Sequence, residues 1–455
     1  MAKKKQALTP EERLQAALVP ESEQPYKIPE NWCWTRLGNI TKVIGGGTPS
    51  SKVTAYYENG NIPWLSPADL SGYNEIYISH GAKNITELGL EKSSAKMMPA
   101  NTVCLSSRAP IGYVAIAQNP LSTNQGFKSF LPSPCYVPKY LYWYLKGNKE
   151  LLESYASGTT FLELSGGKAG LVEIPLSPLS EQQRIVDRIE SLFAKLDEAK
   201  QKAQNALDSF ETRKAAILHK AFNGELTAQW RKEHGVGMES WKKVKFGELG
   251  TLERGRSKHR PRNDPKLFGG SYPFIQTGDI ANAGMYITEH KKNLSDFGKE
   301  QSRVFPKGTL CITIAANIGD VAILSYDCCF PDSVVGFTPN QLSNSEFMYY
   351  MLGTLKDELE ANAPATAQKN INLKVLNNLI IIVPIISEQL EIVRILDDLF
   401  AKEQQAKEAA ESVLNQIDLI KKSILARAFR GELGTNDPSE ENAVELLKEI
   451  ISKKE

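Results

Sequence analysis

Six basic side chains are concentrated within thirteen residues in the second half of the chain. They are Arg254, Arg256, Lys258, Arg260, Arg262 and Lys266, and the stretch contains one acid, Asp264. Such a cluster is costly unless an anion relieves the repulsion between its charges, and Arg and Lys bind phosphate well. An Arg guanidinium also matches the O6 and N7 acceptors of guanine. The stretch therefore predicts a contact with nucleic acid, and the alternative is an ordinary solvated loop.

Short polar segments at corresponding places in the two halves of the chain are further candidates for contact. Ser and Thr hydroxyls suit phosphate oxygens, and Arg, Asn and Gln can bond base edges in pairs. The candidate residues are Lys52, Ser106, Ser107, Arg108, Thr159, Thr160, Asn317, Thr366, Gln368 and Lys369. For any one of them, a role in a turn is an equally good explanation.

The sequence lacks the motifs that catalysis would require. Gly166-Gly167-Lys168 is followed by Ala169, so it does not complete a phosphate-binding loop. No Asn/Asp-Pro-Pro-aromatic stretch of the kind found in amino-methyltransferases is present, and the five histidines show no metal-ligand spacing. We therefore expect no catalytic site, no metal and no bound cofactor in this chain, which disfavours a self-sufficient enzyme.

The composition is that of an ordinary globular protein. With 455 residues, 41% hydrophobic and 24% charged, the chain is long enough for about three domains. The net charge of +1 means that any binding of nucleic acid must come from local patches. The six cysteines lack zinc-ligand spacing, and no apolar run is long enough to span a membrane. We expect reduced thiols and a cytoplasmic location.

Two long helices are the clearest elements that could position these candidates. From Ile185 onward, apolar residues recur at alternating spacings of four and three, which is typical of a coiled-coil seam. The pattern covers residues 180–222 and returns 207 residues later. The seam residues are Ile185, Ile189, Leu192, Leu196, Phe210 and Arg213 in the first copy, and Ile392, Leu396, Leu399, Glu403, Val413, Ile417 and Ile420 in the second.

Each seam contains one charged residue at a position that should be apolar, and these two exceptions predict how the helices pack. The first copy has Arg213 where the second has Ile420, and the second has Glu403 where the first has Leu196. If the helices run antiparallel with facing residue numbers that sum to 616, Arg213 meets Glu403 and Leu196 meets Ile420. We expect this charged pair to fix the register rather than to add much stability.

The segments before the two helices also repeat each other. Thr102, Cys104, Ile111-Gly112 and Val114 correspond to Thr309, Cys311, Ile318-Gly319 and Val321. Both segments show short apolar alternations broken by Gly, Pro and Asn, which favours a mixed α/β fold. Insertions and deletions between the copies fall in loops, as expected for two units with one fold and different loops.

The predicted fold class is therefore α+β. Two similar mixed α/β domains are separated by two long helices, which form an intramolecular antiparallel coiled coil with pseudo-two-fold symmetry. The predicted boundaries are a lead-in helix at 1–24, a first domain at 25–179, a spacer helix at 180–224, a second lead-in with a second domain at 225–386, a spacer helix at 387–433 and a tail helix at 434–455.

The helix ends carry a family resemblance. The first helix is preceded by Pro175-Leu176-Ser177-Pro178-Leu179, opens with Ser180-Glu181-Gln182 and closes with Ile217-Leu218-His219-Lys220-Ala221-Phe222, and both parts recur in the second copy. This combination resembles the DNA-specificity subunit of Type I restriction-modification systems over nearly the whole chain. One departure is that Pro384-Ile385-Ile386-Ser387 is two residues shorter than the segment from Pro175 to Ser180.

The resemblance implies a function without catalysis by this chain. Each α/β unit would be a target-recognition domain that reads one half of a bipartite site in double-stranded DNA. The paired helices would set the spacing and dock two methyltransferase subunits. The complex would direct adenine methylation, and DNA cleavage where restriction and translocase subunits join it. S-adenosylmethionine, ATP and Mg would then be bound by the partner subunits.

A second interpretation remains open at this point. A duplicated α/β scaffold that binds protein or glycan would share the repeat and the paired helices. It would show no salt-dependent affinity for DNA, whereas a specificity subunit would bind a split site together with its methyltransferase partners.

Overall fold

The computed structural model of the chain describes residues 9–158, 162–315, 318–361 and 371–453. Six predicted contact residues lie outside the described residues, namely Thr159, Thr160, Asn317, Thr366, Gln368 and Lys369. The chain divides into two compact units. The first is Met1–Lys202 with Ser412–Glu455, and the second is Ala203–Glu411. Each unit therefore contains one α/β domain and part of both long helices.

The first unit begins with the expected lead-in helix, α1 (Pro10–Ala17). A capping box starts it, because Glu12 N donates to Thr9 Oγ1 at 3.2 Å and Thr9 N donates to Glu12 Oε2 at 2.8 Å. The domain that follows contains β1 (Cys33–Arg36), α2 (Leu37–Ile40), β2 (Val43–Gly45), β3 (Ile62–Leu65), β4 (Tyr77–Ile78), β5 (Lys83–Ile85), α3 (Glu87–Glu91), β6 (Val103–Ser107), β7 (Ile111–Ala117), β8 (Ser122–Thr123), β9 (Phe127–Phe130), α4 (Pro138–Gly147), α5 (Lys149–Ser154), α6 (Gly166–Leu171) and β10 (Glu173–Leu176).

Three sheets organise this domain. The largest has the order β2-β9-β6-β7-β4, a second has β5-β3-β8, and β1 pairs with β10. Helix α4 packs on strands β6 and β7. Its rings Tyr140 and Tyr144 meet Phe429 edge-to-face at centroid distances of 5.1 and 5.0 Å, so the end of the second long helix belongs to this core.

The first long helix is interrupted once, which corrects the prediction of one continuous helix. It consists of α7 (Leu179–Asp208) and α8 (Phe210–Phe222). At the break, the guanidinium of Arg213 donates to the carbonyl of Ala206 at 3.2 Å. In a regular helix that carbonyl would accept from the N–H of Phe210.

The second unit repeats the order of elements. After α9 (Ala228–His234), it contains β11 (Lys242–Lys245), β12 (Gly250–Arg254), β13 (Phe268–Phe274), α10 (Thr277–Ala281), β14 (Tyr286–Ile287), β15 (Lys292–Leu294), α11 (Asp296–Glu300), β16 (Val304–Phe305), β17 (Leu310–Thr313), β18 (Val321–Leu324), β19 (Cys328–Cys329), β20 (Val334–Pro339), α12 (Ser345–Thr354), α13 (Lys356–Ala361), α14 (Leu373–Asn378) and β21 (Ile380–Val383).

Sheet order and strand register confirm that the two domains share one fold. The sheet β12-β20-β17-β18-β14 corresponds to β2-β9-β6-β7-β4. Val103 faces Ile116 in the first domain, and Leu310 faces Ile323 in the second, so both partners shift by 207. The core is repeated too, since Phe222 packs edge-to-face on Phe347 of α12 at 5.5 Å.

The second long helix is continuous, α15 (Ile386–Ala428), and the last helix is α16 (Ala443–Lys453). We expected the tail helix to dock on the long helices or on a partner. Instead, α16 packs on α1 and α2 of the first unit, with Ala443, Leu447 and Ile450 buried in that core. Glu440, just before it, still contacts the start of α7, because Arg184 NH1 and NH2 each reach one of its carboxylate oxygens at 2.8 Å.

The long helices pack together, and the predicted charged pair is present. Within the second unit, Arg213 NH2 lies 2.8 Å from Glu403 Oε2, and Lys407 Nζ lies 5.1 Å from the ring centroid of Phe210. From Phe210 to Arg213 the residue numbers rise, while those of their partners fall from Lys407 to Glu403, so the two helices run antiparallel. Within the first unit, Lys421 Nζ lies 2.5 Å from Asp197 Oδ1.

The seam is less buried than its pattern predicts. Ile185, Ile189, Ile392, Leu396 and Ile417 are buried. By contrast, Leu192, Leu196, Phe210 and Leu399 are half-buried, and Val413 and Ile420 are each 41% exposed, so the expected burial of the last two is wrong. Ile185 and Ile189 belong to the core of the first domain, and Ile392 and Leu396 belong to that of the second. At these four positions a domain therefore adds cover that the partner helix alone does not supply.

Reversing Glu403 tests this register. Glu403→Arg places two guanidinium groups together, so we expect a lower Tm for the chain, and adding Arg213→Glu should restore part of the loss. Recovery will be partial, because Arg213 also bonds the Ala206 carbonyl and Ser209 Oγ. Glu411→Arg is the matched control, since Glu411 lies on the same helix and is exposed. Equal Tm values for the single and double variants would contradict the register.

The helix-opening glutamines dock each long helix on its own domain. Gln182 Oε1 accepts from Val137 N at 2.9 Å, and its Nε2 donates to the carbonyls of Cys135 and Ser177, both at 2.9 Å. Gln389 does the same in the second unit, with Asn344 N at 3.0 Å and the carbonyls of Leu342 and Pro384 at 2.9 Å. Both glutamines are fully buried.

The glutamates beside these glutamines, Glu181 and Glu388, accept hydrogen bonds from the segment that follows the other long helix. In the first unit, Glu181 Oε2 accepts from Trp32 Nε1 at 2.7 Å and from Asn436 Nδ2 at 2.9 Å. Burial raises the pKa of Glu181, and these donors lower it. In the second unit, Glu388 accepts from Thr227 Oγ1 at 2.6 Å and from Arg231. Buried contacts thus explain the Glu and Gln of the Ser-Glu-Gln signature, whereas both serines are exposed.

Candidate nucleic-acid interface

The basic loop of the second unit, residues 254–266, is anchored through its main chain. Gly255 N donates to Val334 O at 2.9 Å, and Arg256 N donates to Phe330 O at 3.2 Å. A Cβ at Gly255 would lie 2.3 Å from the Pro331 carbonyl oxygen, so only glycine fits this approach. The loop therefore starts from a fixed point at the end of β12.

A second acid, which the sequence did not reveal, lies among the cations of this loop. Arg262 NH2 is 2.7 Å from Asp332 Oδ2, and Arg254 Nε donates to the main-chain carbonyl of the same residue. Asp332 belongs to the connection between β19 and β20. Arg254 and Arg262 are thus brought together, and both remain exposed.

Three of the four remaining loop cations, Lys258, Arg260 and Lys266, are exposed, whereas Arg256 is half-buried. Arg260 NH1 donates to the carbonyls of Ser257 at 2.6 Å and His259 at 2.9 Å. The Asp264 carboxylate makes hydrogen bonds with the N–H of Lys266 and with His259 inside the loop. These bonds hold its pKa below the usual range, and the bond from Lys266 has the larger effect. A phosphate at the surface would therefore meet cations rather than this carboxylate.

A cleft of about 470 Å³ opens beside the loop, between β13 and the β19–β20 connection. Its lining includes Phe268 and Phe274 as well as the amide residues Asn263 and Gln276. Lys292 lies over the Phe268 ring at 5.4 Å. Apolar surface can contact a thymine methyl group, and amides can pair with adenine. These residues were not predicted from the sequence, because the cleft forms only where β13 meets the β19–β20 connection, which lies far along the chain.

The corresponding loop of the first unit carries little charge, as its sequence indicates. Lys52 is exposed within it. The loop base is fixed by Gly46 and Gly47, since a Cβ at Gly46 would lie 1.9 Å from the Asn124 carbonyl oxygen and Gly47 O accepts from Trp64 Nε1 at 2.9 Å. The two units therefore present different chemistry on equivalent loops.

Two predicted contact residues of the first unit have structural roles. Ser106 and Ser107 are fully buried, so neither is placed to meet nucleic acid. Ser106 Oγ donates to Pro110 O at 2.7 Å and accepts from Tyr113 N at 2.8 Å, which holds the turn between β6 and β7. The prediction for these two side chains is wrong, because strand burial was not visible in the short polar motif.

The next residue, Arg108, does reach the surface. Its NH1 lies 3.7 Å from Glu163 Oε2, and Lys128 Nζ lies 3.6 Å from Glu163 Oε1. Burial lowers the pKa of Lys128, Glu163 raises it, and Arg108 lowers it further. Arg108 and Lys128 thus form a basic pair held by one carboxylate.

The described residues contain no cluster of three or more His, Cys, Asp or Glu side chains that could hold a metal ion. All six cysteines are buried and free, and burial raises the pKa of the Cys33, Cys104 and Cys328 thiols to about 12. Among the described helices, none combines the length and the apolar character that crossing a membrane would need.

Comparison with known proteins gives one consistent family. The Type I restriction modification DNA specificity domain matches residues 29–208 and again residues 238–414. The Type I restriction enzyme MjaIX specificity subunit of Methanocaldococcus jannaschii is 31% identical over 79% of this chain and 84% of its own length. The EcoKI specificity subunit of Escherichia coli K12 is 24% identical over 90% of each chain.

Solved structures have the same fold. The crystal structure of the HsdS subunit from Thermoanaerobacter tengcongensis has a TM-score of 0.69 and 21% identity, covering 90% of this chain and all of that one. A second structure, from work on assembly and conformational transition of the type I R-M system, has a TM-score of 0.58. From the two family matches, the relatives and the repeated fold, we conclude that this chain belongs to the Type I restriction-modification DNA-specificity subunit family.

Proposed function

We propose that each α/β domain reads one half of a bipartite DNA site, that the paired helices set the gap, and that methyltransferase subunits dock on the chain. One observation carries the proposal. Two domains with the same sheet order and register present different loops at the same place, one strongly basic and one nearly neutral. A shared scaffold with unlike loops suits two readers of unlike sequences.

The chain itself contributes binding and no chemistry in this proposal. Adenine methylation, with S-adenosylmethionine, belongs to two methyltransferase subunits. Cleavage, with ATP and Mg, belongs to restriction and translocase subunits where these are present. Two half-site contacts of moderate affinity then combine through effective concentration, so neither domain alone needs to bind tightly.

Exposed cations of the basic loop provide the direct test. Lys258→Ala with Arg260→Ala should weaken DNA binding across sequences and reduce the slope of log affinity against log salt by about 2, since each phosphate contact contributes about 0.9. The measurement is a gel-shift titration against salt with the methyltransferase subunit present. Lys307→Ala, an exposed lysine of the same unit, is the control. An unchanged slope would remove the loop from the interface, and no salt-dependent binding by the wild type would reject DNA reading altogether.

Helix length tests the proposed spacing role. Lengthening both long helices by one heptad, at matched positions, keeps the seam and extends each helix by about 10 Å. We expect mapped methylated adenines to show both half-sites unchanged and a longer gap between them. Altered half-sites with the original gap would contradict a spacer function.

A further inference from the structure

The two-stranded sheets that begin the two α/β domains are equivalent, yet they differ in what covers them. In the first unit, Trp34 of β1 faces Pro175 of β10. In the second, Lys243 of β11 faces Ile382 of β21 at the corresponding positions. These side chains lie on one face of each sheet. A further segment can pair with the edge of β1 that faces away from β10, and with the edge of β11 that faces away from β21.

In the first unit the chain covers this place itself, with residues 18–26. Val19 N donates to Trp34 O at 2.9 Å, and residue 18 forms an antiparallel bridge to β1. The Tyr26 ring packs edge-to-face on Trp34 at 4.9 Å, and Trp34 Nε1 donates to Tyr26 O at 3.2 Å. Trp34 is left only 2% exposed.

The second unit lacks this cover. Fifteen residues connect α1 to β1, but only seven connect α9 to β11. In the described part of the chain, β11 pairs with β21 alone, and no isolated bridge reaches its other edge. Ile380 and Ile382 are consequently 55% and 41% exposed on one face of the sheet. An uncovered strand edge beside apolar side chains is a template for another segment.

Charge indicates what kind of segment fits. In the first unit, Arg36 of β1 lies 3.0 Å from Glu23 of the covering segment. The corresponding residue of β11 is Lys245, which is exposed and makes no ion pair with the described residues. Lys242 and Lys243 are exposed beside it. One face of the sheet thus carries two isoleucines, Lys243 and Lys245 beside an open strand edge, and Lys242 lies on the opposite face. The isoleucines suit a peptide better than a phosphate backbone.

We propose that the β11–β21 sheet docks an extended, acidic segment of a partner protein. The segment pairs with the free edge of β11, lays apolar side chains on Ile380 and Ile382, and places a carboxylate beside Lys245. The partner that we name is a methyltransferase subunit, and in this step the inference rests on the proposed function.

Affinity for the purified methyltransferase subunit, measured without DNA by calorimetry, tests the docking site. Ile382→Asp with Lys245→Glu in the full chain should weaken binding at least about tenfold. Lys245→Glu alone, at an exposed position, should weaken it less, and provides a variant that keeps the fold. Leu88→Asp, which changes a 44% exposed leucine of the first unit, should have no effect. Unchanged affinity in both docking variants, with unchanged Tm, overturns the inference.

A photo-crosslinking side chain at position 382 identifies the occupant. A crosslink to an acidic, extended segment of the methyltransferase supports the proposal. A crosslink to residues 18–26 of a second copy of this chain overturns it in favour of exchange between copies. If the wild-type chain fails to bind the methyltransferase, the proposed function itself fails, and that result is separate from any effect of the variants.

Discussion

Replacing Arg231 with methionine will lower the free energy of unfolding by about 3–5 kcal/mol, because it leaves a buried carboxylate without its cation. The Glu388 side chain is 0% exposed and that of Arg231 is 9% exposed. Arg231 NH1 also donates to Thr227 Oγ1 at 2.9 Å, and NH2 donates to Gly224 O at 2.6 Å. Methionine retains the apolar stem of arginine, so the loss reports mainly the charge and its hydrogen bonds.

Denaturant titration measures this effect, and a pair with an exposed arginine on α15, the helix of Glu388, calibrates it. Arg394→Met removes an arginine that is 67% exposed and paired with Glu391, so its cost should stay within about 0.5 kcal/mol. Adding Glu388→Gln to Arg231→Met should recover part of the loss, because the unpaired charge disappears. A cost below about 1 kcal/mol for Arg231→Met would mean that Glu388 is not isolated from water.

Gln389→Leu will cost about 2–4 kcal/mol, because one substitution at a fully buried side chain leaves three main-chain groups without partners. These are the N–H of Asn344 and the carbonyls of Leu342 and Pro384. Gln182→Leu should cost a similar amount, since it makes the equivalent three bonds.

The control for both glutamine variants is Gln416→Leu, whose exposed side chain bonds only Ser412 Oγ at 3.1 Å. Thermal unfolding of each variant shows whether the two units respond alike. A large cost at Gln389 with none at Gln182 would contradict the equivalence of the two helix openings.

The sequence predicted the repeated scaffold because repetition is visible without knowledge of contacts. A shift of 207 residues aligned both helices and the central strands, and the mismatch of Arg213 with Glu403 set the register. The break at Ser209 was not predicted, since the apolar pattern does not show that the side chains of Ser209 and Arg213 bond the Ala206 carbonyl. The exposure of Val413 was missed for a related reason: a seam pattern shows which side of a helix is apolar, but not how completely a neighbour covers it.

The candidate interface was predictable only where its residues are adjacent in sequence. The basic loop is such a cluster, and five of its six cations are exposed, whereas Arg256 is half-buried. Asp332 lies far along the chain from Arg254 and Arg262, and the sheet alone brings them together. Ser106 shows the opposite error, because a polar residue in a short motif turned out to hold a buried turn.

The glutamine contacts have a consequence for how such proteins diversify. Gln182 and Gln389 recognise only peptide groups of the domain beside them, and the residues that supply these groups differ between the units. An attachment that ignores side-chain identity leaves the loops of the domain, which we propose to read DNA, free to vary from one protein to the next. A foreign domain with the same backbone path could thus be grafted between the existing helices without redesign of the joint, and under the proposed function it would give a new target.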